Sequence, residues 1–174
     1  MLCENRCPKL QSATAVGRWI SPVIAYRMDV NSAPLRRPGL NVLDDYCREA
    51  LGIETDYSLP AKRVTRLLDR LVTERGKPQR LRSDNGPEFI SDELQRWCKT
   101  NGVELHWIER GKPTQNAYIE RFNGTFRREV LKANVFSSLA QVRRMVADWL
   151  VEYNTVRPHQ ALEFMTPVEY RQAA

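Results

Sequence analysis

Histidine and cysteine are scarce in this sequence, with two of the first and four of the second in 174 residues. Cys3, Cys7, Cys47 and Cys98 form no paired CxxC spacing, and His106 and His159 form no HxxxH. A structural zinc site is therefore not expected, and reduced thiols are the default. No run of about 18 apolar residues occurs, so no helix is expected to cross a membrane. The opening MLCENRCPKL lacks the apolar stretch of a secretory signal. The chain also has no internal repeat and no low-complexity segment.

What the sequence does have is the balance of a globular domain: 42% hydrophobic and 28% charged residues. Its length suffices for one domain with a real core. Lys and Arg number 27 against 21 acids, giving a net charge of +6 and an isoelectric point near 9.3. Such an excess attracts polyanions, nucleic acid first, by releasing counterions from phosphates.

Residues 1–39 carry four of the ten prolines and little periodicity, and read as an irregular N-terminal segment. From residue 40 the pattern sharpens. Leu40–Leu43 and Ala50–Thr55 are short apolar runs that predict neighbouring strands. Ser58 is a candidate cap for a helix over about 60–75, with Val64, Leu67, Leu68, Leu71 and Val72 on one face and Gly76 closing it. Arg80–Ser83 predicts a third strand, stopped by the turn cluster Asp84-Asn85-Gly86-Pro87. Ser91 opens a helix to about Asn101, ended by Gly102. Val103–Ile108 alternates as a strand, with His106 in a structural position. A polar loop over 109–115 leads into a helix over about 116–132, with Tyr118, Phe122 and Phe126 on one face. A last long helix over about 139–153 buries Val142, Met145, Val146, Trp149 and Leu150, and Trp97, Trp107 and Trp149 read as core. The alternation predicts an α/β class with helices covering a sheet.

Two acids stand out. Asp84 ends a strand, where ligands bind in open α/β sheets, although Asp-Asn-Gly also makes a plain turn. Glu120 lies in a first helical turn, where the helix dipole alone would favour it. Between them stand 35 residues. The runs Arg82-Ser83-Asp84-Asn85-Gly86-Pro87-Glu88-Phe89 and Gly111-Lys112-Pro113-Thr114-Gln115-Asn116-Ala117-Tyr118-Ile119-Glu120-Arg121-Phe122-Asn123-Gly124 resemble the catalytic core of insertion-sequence transposases of the retroviral-integrase type. So do Asn41–Tyr46, Cys47–Leu59 and the tail Tyr153-Asn154-Thr155-Val156-Arg157-Pro158-His159. The resemblance covers roughly residues 40–170, taken as the core with a C-terminal helical tail (40–174).

The resemblance implies a ribonuclease-H-like fold, a mixed five-stranded sheet flanked by helices. It implies DNA cleavage and strand transfer by an Asp–Asp–Glu triad, with Asp84 and Glu120 as second and third members and as ligands of Mg²⁺, or of Mn²⁺ in its place. In that chemistry two ions about 3.5–4 Å apart clamp the attacking and leaving oxygens. Arg127 takes the place of a DNA-touching basic residue in relatives, while Lys112, Asn116 and Arg121 beside Glu120 are candidate phosphate contacts. Each of these basic groups also fits a solvated surface. Implied partners are transposon ends and target DNA, further copies of the chain and a separate DNA-binding subunit. A bacterial cytoplasm is the implied setting, without membrane.

The pattern breaks at the first Asp. Relatives carry it on the central first strand, in a segment like Trp-Ser-Met-Asp-Phe, whereas this chain offers Ser21-Pro22-Val23-Ile24-Ala25-Tyr26-Arg27-Met28-Asp29-Val30. Asp29 stands too near Asn41 to match. The genetic code accounts for the break. Trp19 is TGG and Ile20 begins AT, so the codon straddling them is GAT, aspartate; the overlaps of Val16 through Ser21 accommodate Trp-Ser-Met-Asp-Phe. Met28 and Asp29 force a straddling glycine codon where relatives carry Asp-Gly-Arg. Residues before about Leu40 thus read as translated out of frame, with the first strand disrupted unless Val23–Val30 stands in for it. The return to frame leaves several residues too many. Two outcomes remain open: a strand-transfer enzyme completed by Asp29 or another acid, and an inactive DNA-binding remnant. A nuclease of another type on the same fold fits the spacing less well.

Overall fold

The computed structural model of the chain describes residues 23–32, 35–109 and 117–173. Their centre is one five-stranded sheet of β1 (Val23–Ser32), β2 (Leu35–Asp44), β3 (Ala50–Thr55), β4 (Arg80–Ser83) and β5 (Glu104–Trp107), in the order β3-β2-β1-β4-β5. The first three strands meander antiparallel. β4 and β5 then run parallel to β1, and each is reached through helix, as parallel pairing requires.

Helices α1 (Ala61–Arg75), α2 (Pro87–Ile90) and α3 (Asp92–Asn101) cover one face. There Val23, Ala25, Leu40, Val42 and Leu81 of the sheet meet Val64, Leu67, Leu68, Leu71, Phe89 and Leu94. Alternation turns Leu43 and Ala50 to the other face. They meet Ile119, Phe122 and Phe126 of α4 (Ala117–Phe126), Val130 and Leu131 of the π-helical turn continuing it (Arg127–Leu131), and Val142, Val146, Trp149 and Tyr153 of α5 (Leu139–Thr155). A 3₁₀ turn (Gln160–Leu162) and α6 (Pro167–Ala173) complete the chain. Buried Glu49 fastens this tail, since its carboxylate accepts from Arg75 at 2.8 and 3.1 Å and from Arg171 at 2.9 and 3.2 Å.

The helix stops follow the sequence. Gly76 and Gly102 both take positive φ, 85° and 64°, where a side chain would be strained. Ser91 accepts the Leu94 N–H at 3.3 Å and caps α3. The start of α1 differs from expectation: Pro60, not Ser58, holds the cap position, and no side chain bonds there. The ring's fixed φ turns the chain without a hydroxyl.

A larger correction concerns the N-terminal segment, expected to be irregular through residue 39. Residues 23–32 and 35–39 are strand, and Val23–Ser32 takes the central place, the alternative expected for Val23–Val30 if the first strand was not to be disrupted. A run rich in β-branched and aromatic residues finds partners on both sides at Val23–Ala25, and that pairing outweighs its lack of clean alternation. Pro38 is tolerated because the β2–β3 ladder begins only at Gly39, so Pro38 has a strand on one side alone. From Asp29 outward, β1 and β2 form a two-stranded ribbon.

Candidate functional site

β4 ends at Ser83, and Asp84 begins the turn beyond it. The turn is tied down at several points. The Asp84 carboxylate accepts the Gly86 N–H at 3.0 Å, the Asn85 amide donates to the Ile108 carbonyl at 3.0 Å, and the Phe89 N–H bonds back to the Gly86 carbonyl at 2.9 Å. Gly86 is closely surrounded: a Cβ there would stand 3.0 Å from an Asp84 oxygen and 3.1 Å from the Glu88 carboxyl carbon, so a side chain would press on both carboxylates. Two carboxylates therefore approach the same glycine. Glu88 is buried, and the sequence reading gave it no role.

Glu120 is exposed on α4, one residue after Ile119, which is fully buried. The helix is held over the sheet by its apolar face and by a buried hydrogen bond from the Asn41 amide of β2 to the Asn123 side-chain oxygen. β1 lies between the two acids' elements, paired with β4 on one side and packed by α4. Arg127 is exposed and seven residues past Glu120, so it shares that face about 10.5 Å further along. Arg121 is exposed too, but one residue on it turns about 100° away from Glu120. Lys112 and Asn116 lie outside the described residues, as do Val16–Ser21.

Three other expectations change. Trp107 is not core but 42% exposed; it stands opposite Ser83, and its indole N–H donates to the Phe89 carbonyl at 3.2 Å, bracing the turn after Asp84. β5 is a sheet edge, so its last residue has a neighbour on one side only. His106, expected to be structural, is 44% exposed and bonds Glu104 at 2.6 Å. Tyr118, expected on the buried face, is 45% exposed under the Arg48 guanidinium, 3.4 Å from its ring centre.

The place for a third acid follows from strand register. Ala25 pairs with Ser83, so β1 passes the Asp84 end of β4 at about residue 26. Residues 23–28 read Val-Ile-Ala-Tyr-Arg-Met and include no acid. Asp29, the first, pairs with Pro38. It lies four residues past Ala25, about 13 Å along the strand from the position beside Ser83. Among the described residues no group of three or more His, Cys, Asp or Glu side chains comes close enough to hold a metal. The residues described do not fit a two-metal centre.

Sequence comparison decides the lineage. An integrase core domain model matches residues 24–113, more than half of the chain, and a second integrase core domain model matches residues 101–167. The chain belongs to the integrase core family. It is 46% identical over 147 residues to an insertion element IS407 protein of Burkholderia multivorans, covering 84% of this chain and 53% of that one. It is likewise 46% identical over 131 residues to an insertion element IS476 protein of Xanthomonas euvesicatoria, covering 75% of this chain and 38% of the relative. The chain thus spans about half of the first relative's length and less of the second's. In fold it is similar to the HTLV-2 integrase catalytic core domain solved with magnesium, at a TM-score of 0.71 and 14% identity over 88% of this chain and 97% of that one. The fold is therefore ribonuclease-H-like, and the transposase ancestry read from the two spaced motifs stands. No helix among the described residues is long and apolar enough to cross a membrane.

Proposed function

We propose that this chain is a DNA-binding integrase core that performs no strand transfer of its own. The observation that carries this reading is the β1–β4 register: no acid occurs on β1 where it passes Asp84. Asp84 and Glu120 are the surviving second and third acids of the triad. Without the acid that bridges both ions, a metal held by these two has no partner ion to share the charge of the reacting oxygens, and activity is lost rather than weakened. Arg127, with Lys112, Asn116 and Arg121, supplies phosphate contacts, which need no metal. DNA is the partner, in a bacterial cytoplasm. Association between copies or with a separate DNA-binding subunit follows the pattern of the family.

The test is an assay of nicking and strand transfer on the element's own ends with Mg²⁺ and with Mn²⁺, beside a gel-shift on the same DNA. Binding without product is the expected result. A metal-dependent product that disappears in Asp84→Asn overturns the reading; its disappearance in Asp29→Asn as well would make Asp29 the third acid.

A further inference from the structure

On the side of α4 away from Glu120 lies a cleft of about 390 Å³. It is lined by Arg48 from the β2–β3 turn, Tyr118, Arg121 and Phe122 from α4, and Arg157 and His159 from the segment after α5. Tyr118 and Phe122 stand about 200° around the helix from Glu120, so the cleft and the acid do not share a surface. We propose that this cleft binds a phosphate group, carried either by a nucleic-acid backbone or by a free nucleotide.

Three guanidinium groups converge from separate elements, and each is prepared differently. Arg121 is exposed and has no ion pair among the described residues. Arg48 sits at φ 60°, a conformation uncommon for a residue with a side chain, and is held there by Asp45 at 2.7 Å and by the Tyr118 ring. Arg157 is fixed by Glu129 and Glu152, at 2.8 and 3.2 Å. A guanidinium has five N–H donors, so pairing with one or two acids orients it and leaves donors for a further anion. Arg is suited to this work because its planar fork matches phosphate oxygens. The fourth group is a buried atom: Nε2 of His159 has no hydrogen-bond partner. A buried ring nitrogen without a partner is costly, and a ligand that brings a proton or a hydroxyl satisfies it. Tyr118 and Phe122 give the walls an aromatic part that a sugar or base attached to the phosphate can cover.

The inference rests on the nucleic-acid reading above only for the source of the phosphate. Its test is a nuclear magnetic resonance titration of the full chain, following the His159 ring signals. Inorganic pyrophosphate, a mononucleotide and a short DNA duplex are added in separate experiments. Pyrophosphate is expected to shift the ring signals toward the protonated form. Arg121→Gln, a surface change that leaves the fold intact by its unaltered thermal midpoint, weakens that binding roughly ten- to hundredfold. A duplex that moves the same signals identifies backbone phosphate as the ligand; a mononucleotide that does so when the duplex does not identifies a free nucleotide. A duplex that binds without touching His159, with pyrophosphate also silent, overturns the cleft and leaves DNA binding standing. Pyrophosphate bound at His159 with no duplex bound anywhere leaves the cleft standing and overturns the DNA reading. Pyrophosphate affinity unchanged in Arg121→Gln also overturns the cleft.

Discussion

At His159 burial works against charge. Desolvation, with the nearby Arg157 cation adding to it, holds the imidazole below its ordinary value of 6.5, against a hydrogen bond to the Tyr153 backbone. Its ring packs 4.8 Å from that of Tyr153, at the junction of α5 with the tail. Between the depressed folded value and 6.5 the unfolded chain binds the extra proton and the folded chain does not, so stability rises with pH across that window. The contribution is complete above 6.5 and is lost as pH falls through the folded value. Thermal midpoints measured from neutral pH down to about 5.5 should fall more steeply for the unaltered chain than for His159→Gln. Parallel curves would show that the ring is not held neutral by the fold.

Among elements, α4 bears most on the site, because it carries Glu120, Arg121 and the lead into Arg127. Its position depends on Phe122 and Phe126, which pack edge-on against Trp149 at 5.4 and 5.1 Å, and on Trp149 stacking on Tyr153 at 5.1 Å. The Trp149 indole N–H also donates to Glu129 at 2.8 Å, joining α5 to the π-helical turn. Replacing Trp149 with Ala opens a cavity among three aromatic rings and removes that bond, and should cost about 3–5 kcal/mol. Urea unfolding followed by far-ultraviolet circular dichroism measures it, and a loss near ~0.5 kcal/mol, the range of surface changes, would mean that the cluster does not hold α4. The apolar spacing of α4 and α5 was legible in the sequence, including Val142, Val146 and Trp149. The buried Asn41–Asn123 bond was not, since nothing in either segment alone pairs two asparagines 82 positions apart.

For the whole molecule the decisive feature is that the central strand of the sheet, Val23–Ser32, carries no acid where it passes the end of β4. Val23–Ala25 supply a strand of adequate shape, because a central strand needs small or branched apolar side chains and free backbone groups more than any particular sequence. A catalytic strand needs one carboxylate at one register, which shape cannot replace. The encoding DNA from the codon of Val16 to that of Leu40, read in the shifted frame, should spell Trp-Ser-Met-Asp-Phe. Any other reading of that frame makes Val23–Ser32 the chain's native first strand, and the absence of an acid beside Asp84 an ancestral property.

The sequence by itself determined the class, the lineage and four of the five strands, and it named Asp84 and Glu120 as the candidate acids. Periodicity, glycine stops and motif spacing are local properties, and they survive being read one segment at a time. Tertiary structure decided what local pattern does not encode: that residues 23–32 and 35–39 are strand, and that Trp107 and Tyr118 face outward. It also decided that Arg48, Arg121, Arg157 and His159 meet in one cleft. Each of these depends on which distant segment arrives beside which, and register and packing across the sheet, rather than residue type, set that outcome.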